Sequence, residues 1–162
     1  MKARAFAPLS ISIADRTFPV ELPISLHTTI KESIKMSIFT HVTVGTNDLQ
    51  KARSFYDTVL GALGQKRIAD LEDNGLIWGE NSPSFFVLKP ANGAPASVGN
   101  GVTVSFEAPN RAAIDAFHAA ALACGGTDEG KPGPRGWAQD AYAAYARDLD
   151  GNKLAAYCFK AA

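Results

Sequence analysis

The stretch HVTVGTNDLQKARSFYDTVLGALG, residues 41–64, lies without a gap on TVSFEAPNRAAIDAFHAAALACGG, residues 103–126. The offset is constant at 62, so His41 meets Thr103, Val42 meets Val104, Phe55 meets Phe117 and Gly64 meets Gly126. Each copy opens on alternating apolar residues, the period of a strand with one buried face. Asp48 or Asn110 follows, a side chain that caps a helix by accepting from amides the first turn leaves free. Apolar residues then return at helical spacing: Leu49, Ala52, Phe55, Tyr56, Val59 and Leu60 in the first copy, Ile114, Phe117, Ala121 and Leu122 in the second. Glycines end both runs, at Gly61 or Gly64 and at Gly125. The spacing predicts a strand and then a helix, twice, with helices over about 48–61 and 110–124.

Outward from each helix the pattern returns to strands. Gln65–Leu71, Leu76–Gly79 and Ser84–Lys89 follow the first helix, separated by the turn-forming EDNG and by Pro83. After the second helix comes the Gly/Pro-rich TDEGKPGPRG, then AYAAYAR over 141–147, a DGN turn at 150–152 and KLAAYCF over 153–159. Asp-Gly between two strand-like runs is a strong hairpin signal. Each half therefore reads as a βαβββ module, at about 38–90 and 100–160. Sheets this small need a partner to bury their apolar faces.

The rest of the composition sets bounds. With 162 residues, 46% hydrophobic and 20% charged, the chain suits one compact domain with a substantial core. Sixteen basic and sixteen acidic residues cancel, leaving no field of one sign to draw the protein to nucleic acid or an anionic membrane. Apolar runs are too short to span a bilayer. Cys124 and Cys158 form no CxxC pair, and read as free thiols in a reducing cytoplasm. Residues 1–35 read as an appendage without chemistry. Pro8, Asp15, Arg16 and Pro19 break the unbroken apolar segment that an export signal requires, and Met36 stands just ahead of the first module. Within this appendage, Leu9, Ile11 and Ile13 alternate as a short strand would, and residues 27–35 read as linker.

In this order and spacing, FTHVTVGTNDLQKARSFYDTVLGALG, SFFVLKPANGAPASVGNG, RAAIDAFHAAALACGG with TDEGKPGPRG, and YAAYARDLDGNKLAAYCF resemble the vicinal oxygen chelate superfamily. This is the group of glyoxalases, bleomycin-resistance proteins and extradiol dioxygenases. The resemblance implies an α+β fold in which two tandem modules, within residues 36–162, form a cupped eight-stranded mixed sheet around a pocket. It also implies a homodimer, and metal ligands on the first and last strands of each module. His41 matches the usual first-strand His, but its counterpart is Thr103. The ending reads DLDGNKLAA, with Ala155 where relatives often carry Glu, and Ser84–Lys89 holds no His, Asp or Glu. His41, Thr103 and Ala155 are thus vestigial positions. One imidazole cannot hold a divalent ion that needs three or four converging donors, so no metal or other cofactor is expected.

What remains for chemistry is sparse. His41 is the candidate catalytic residue, as a general base near neutrality, set against a strand histidine that only hydrogen-bonds inside the cup. His118 reads as a helix-surface residue. Arg135 and Trp137 sit on a Gly/Pro-rich loop, where ligand contacts are commonly mounted. With His41, Thr103 and Tyr142 they make up the candidate pocket. Asp148 and Asp150 flank a hairpin end and read as turn formers rather than as a catalytic carboxylate pair. The leading function is binding of a small organic molecule, planar or aromatic and negatively charged, for sequestration or as an accessory protein. The alternatives are a metal-dependent lyase, isomerase or dioxygenase with displaced ligands, and a metal-independent enzyme using His41 or a tyrosine.

Overall fold

The structure, a computed structural model, describes residues 38–161; the appendage read at 1–35 lies outside them. In the first module, β1 (Val42–Gly45) leads to α1 (Leu49–Gly61) and then to β2 (Lys66–Leu71), β3 (Gly75–Gly79) and β4 (Phe85–Leu88). The second repeats this as β5 (Val104–Glu107), α2 (Arg111–Ala123), β6 (Thr127–Pro134), β7 (Tyr142–Arg147) and β8 (Lys153–Cys158). Both helices begin and end 62 residues apart, as the repeat predicts. Asp48 caps α1 by accepting from the amides of Gln50 and Lys51, and Asn110 caps α2 by accepting from Ala113.

The eight strands form two four-stranded mixed sheets, β1-β4-β3-β2 and β5-β8-β7-β6, one from each of the two predicted modules. In each sheet the first strand pairs parallel to the last and the other pairs are antiparallel. The Gly/Pro-rich stretch is a strand along most of its length rather than a loop. As β6 it lies at a sheet edge, where Pro132 and Pro134 cost few ladder hydrogen bonds, and register shifts absorb its glycines. His118 is buried at 7% exposure rather than on the helix surface, because β6 brings Asp128 to within 2.9 Å of its Nε2. Among the described residues no helix is long and apolar enough to cross a membrane.

One core serves both modules. Val44, Trp78, Phe85 and Val87 from the first sheet and Val104, Ala144, Leu154 and Ala156 from the second join Phe55, Tyr56, Ile114 and Phe117 of the helices in a single cluster. The helix-facing sides of both sheets are thus committed to this core, and each sheet turns its opposite face outward.

The β7–β8 turn joins the modules. The Asp148 carboxylate accepts from the amides of Asp150 (3.0 Å) and Asn152 (2.7 Å), which shapes the turn, and Gly151 completes it at a left-handed φ of 87°. The same carboxylate takes the buried Tyr56 hydroxyl of α1 at 2.5 Å. Asp150 accepts from the Thr46 hydroxyl at 2.5 Å and from the Asn47 amide at 2.9 Å, and the Asn152 side chain donates to the Gly45 carbonyl. The acidic pair forms the turn, as expected, and also fastens it to the start of α1.

Burial, and then the negative charge of Asp148, hold the Tyr56 hydroxyl well above its ordinary 10.0. Tyr56→Phe should lower unfolding free energy by about 1–3 kcal/mol, since it strips a donor from a buried carboxylate. Because the folded-state value is raised, the Tyr56 contribution is intact below its ordinary value and lost as pH climbs toward the folded one. Urea titrations at pH 8 and at pH 11 should show an alkaline loss of stability in the parent that is smaller in the variant.

Candidate functional site

Alternation along the β7–β8 hairpin decides which side chains leave the core. Tyr145 pairs with Ala155 and Ala143 with Tyr157, and these four share the face turned away from α2. Tyr142, one residue out of phase, turns to the helix: its hydroxyl donates to Asp115 of α2 at 2.8 Å, and the Arg111 guanidinium lies over its ring. The Asp115 hydrogen bond raises its pKa. Tyr142 thus belongs to the packing of α2 and not to the open face.

On that open face the Tyr145 and Tyr157 hydroxyls meet at 2.5 Å. Their rings are perpendicular, with centroids 5.9 Å apart. Tyr157 also stacks on Phe159 at an interplanar angle of 5°, and Trp137 sets its edge against both rings at 5.8 Å. Trp137 is 64% and Phe159 54% exposed, so two large aromatic surfaces stand in water side by side. Burial, with the Tyr145 hydroxyl adding to it, pushes the Tyr157 phenol up to about 12.

Two cations flank Tyr145. Arg135 lies 5.2 Å and the Lys153 ammonium 5.3 Å from the ring centroid, near enough for cation–π attraction. Arg135 is braced by donating to the carbonyls of Lys131, Pro134 and Ala143, so it ties β6 to β7. Lys153 pairs with Glu129, which also holds Arg147. Gly130 lies across from Tyr145 with φ 152°, and a Cβ there would come within 2.9 Å of the tyrosine ring. The ring occupies the space that the absent side chain leaves.

The remaining predicted residues lie apart. His41 is exposed ahead of β1, its ring 4.5 Å from that of Phe86 and its Nδ1 3.2 Å from the Thr40 hydroxyl. Thr103 is exposed ahead of β5 in the second sheet, and Ala155 is buried on β8 beneath its partner Tyr145. The positions that the resemblance gives to metal ligands therefore fall on two sheets. They offer one imidazole, one hydroxyl and one methyl, and β4 adds only Phe86 and Leu88 on the face that bears His41. Among the described residues no group of three or more His, Cys, Asp or Glu side chains comes together to hold a metal ion. This donor set does not fit a divalent metal. A groove of 510 Å³ between the β3–β4 turn and β5 is lined by Glu80, Asn81, Ser82, Ser105 and Glu107 among others, and includes none of the predicted site residues.

Gly130→Ala should force Tyr145 aside and cost about 1–3 kcal/mol, because alanine resists this backbone conformation. Thermal unfolding checks the cost, and a changed near-ultraviolet tyrosine signal checks the displacement.

Residues 38–156 match the Glyoxalase/Bleomycin resistance protein/Dioxygenase superfamily. Among solved structures the chain is similar to a glyoxalase/bleomycin resistance protein from Albidiferax ferrireducens, with 43% identity, coverage of 75% of this chain and 98% of that one, and a TM-score of 0.68. It shares its fold with a lactoylglutathione lyase from Agrobacterium tumefaciens (21% identity, 76% and 94% coverage, TM-score 0.54). The same holds for a genomically encoded fosfomycin resistance protein from Listeria monocytogenes (13% identity, 78% and 94% coverage, TM-score 0.55). No curated protein matched. The chain belongs to the glyoxalase, bleomycin-resistance and dioxygenase superfamily.

Proposed function

We propose that this superfamily member binds a planar or aromatic small molecule bearing a negative group, without a metal, on the open face of its second sheet. The observation that carries this reading is the aromatic cluster in which Trp137 and Phe159 stand in water around the half-buried Tyr157, beside Tyr145 and its two cations. Contiguous exposed aromatic surface on a folded domain marks a place where something binds. Stacking supplies area to a flat ligand, and fixed cations favour an anion over a cation. The binding role fits sequestration or accessory function, since His41 lies with Phe86 and Thr40 rather than beside these groups.

The protein works as a homodimer in this reading. β1 and β5 each pair on one side only, and both sheets turn a face away from the shared core, so a second copy has edges and faces to cover. Light scattering at micromolar concentration should give twice the mass of the chain, and a monomer would refute the assembly.

Two measurements test the function. Elemental analysis of protein purified without chelator should find less than stoichiometric zinc, nickel, iron and manganese; a retained equivalent of any of them would overturn the metal-free reading. A thermal-shift screen should pick out aromatic anions as stabilisers, and cationic or aliphatic compounds emerging alone would overturn the ligand class. Trp137→Ala should weaken the hits by about 1–3 kcal/mol, the scale of one stacking platform.

A further inference from the structure

Resting on that reading, we infer that the paired hydroxyls of Tyr145 and Tyr157 receive the negatively charged oxygen of the ligand, a carboxylate or phenolate borne on an aromatic ring. Trp137 and Phe159 hold the ring itself.

The cations on this face are already engaged. Arg135 donates to three backbone carbonyls, Arg147 to Glu129 and the Gly151 carbonyl, and Lys153 is paired with Glu129. The two phenols are in a different position. Neutral, they carry two protons between them, and the 2.5 Å contact uses one. The second proton points out of the pair, and the hydroxyl that donates inward strengthens the one that donates outward. Tyr157, pushed up to about 12, keeps its proton at neutral pH. A charged oxygen accepting the second proton, from whichever of the two hydroxyls carries it outward, makes the shorter and stronger kind of hydrogen bond.

Charge then selects the ligand. Arg135, Arg147 and Lys153 stand on this side of β6, β7 and β8, against Glu129 on β6 and Glu107, which is in register with Tyr157 on β5. The excess is positive and is gathered around the Tyr145 ring, where both Arg135 and Lys153 sit within 5.3 Å of the centroid. A cationic ligand would meet a ring face already occupied by cations. An anion at the hydroxyl pair gains from both without displacing either.

Three probes with one ring system separate the terms: 2-naphthoate, the neutral 2-naphthamide, and 2-naphthylmethylammonium, each titrated calorimetrically into the full chain. The parent should bind naphthoate more tightly than naphthamide, and the ammonium least. Tyr145→Phe and Tyr157→Phe should each weaken naphthoate by about 10-fold or more, the size of one charge-assisted hydrogen bond, and leave naphthamide within about 2-fold. Naphthoate binding that depends on Trp137 but is indifferent to both Tyr→Phe changes would sink the hydroxyl pair and leave the binding reading standing. Failure of all three probes to bind would sink both. A second measurement follows the ionisation itself: saturating naphthoate should move to higher pH the tyrosine transition, followed by absorbance, that Tyr157→Phe removes from the parent curve. An ionisation that stays in place with naphthoate bound would overturn the proposal.

Discussion

A single buried carboxylate, that of Asp148, sets the relation between the two halves of this protein. It is 6% exposed and takes four donors, two amides of its own turn, the Asn152 side chain and the Tyr56 hydroxyl from the other module. A charge removed from water is tolerated only when its hydrogen-bonding capacity is met, and here that capacity is met by groups 92 residues apart as well as by neighbours. The helix α1, the hairpin β7–β8 and the entry to α1 are thereby fixed together. The apolar cluster around Phe55, Phe117 and Trp78 fills the space they enclose. Hydrophobic burial supplies the larger driving force, but it is indifferent to direction. The acidic turn supplies the register.

That register has a cost for one face and a use for the other. With the helix-facing sides of both sheets joined in one core, several of the large residues that alternate away from it are only half-buried. On the first sheet these are Phe86 and Leu88, with His41 beside them. On the second they are the two tyrosines, with Trp137 and Phe159 beyond. In the proposed reading the chemistry of this second face is that of phenol hydroxyls and aromatic rings. Ala155 connects the two descriptions. The resemblance gives its position to a metal ligand, and it is the cross-strand partner of Tyr145.

Much of the fold was legible because helix caps and periodicity are local. Asp48 and Asn110 stand at the same place in both copies, and the hydrophobic stripe behind each needs no knowledge of the tertiary structure. β6 was not legible, since two prolines and two glycines in eight residues carry a loop signal, and only its edge position makes them tolerable. His118 was misplaced for a related reason: its neighbour Asp128 arrives from that same strand. The tyrosine pair was within reach. The Asp-Gly turn fixes the hairpin, the hairpin sets Tyr145 opposite Ala155, and Tyr157 follows two residues later on the same face. Counting parity from the turn separates Tyr145 from Tyr142, whereas aromatic content alone treats them as equals. Arg135 illustrates the opposite limit, because two of its three carbonyl partners come from a bulged strand whose geometry no spacing encodes.

The chain holds two tryptophans, and the fold has put them in opposite solvents. Trp78, in the first module, is 1% exposed, with its indole N–H on Asp57 and its ring against Tyr56 and Phe85. Trp137, in the second, stands in water among rings. An indole emits toward the blue in an apolar cage and toward the red in solvent, and a dissolved quencher reaches only the second. The protein thus carries two intrinsic optical labels that divide its events between them: the blue one reports whether the core is intact, the red one whether the outward face is occupied.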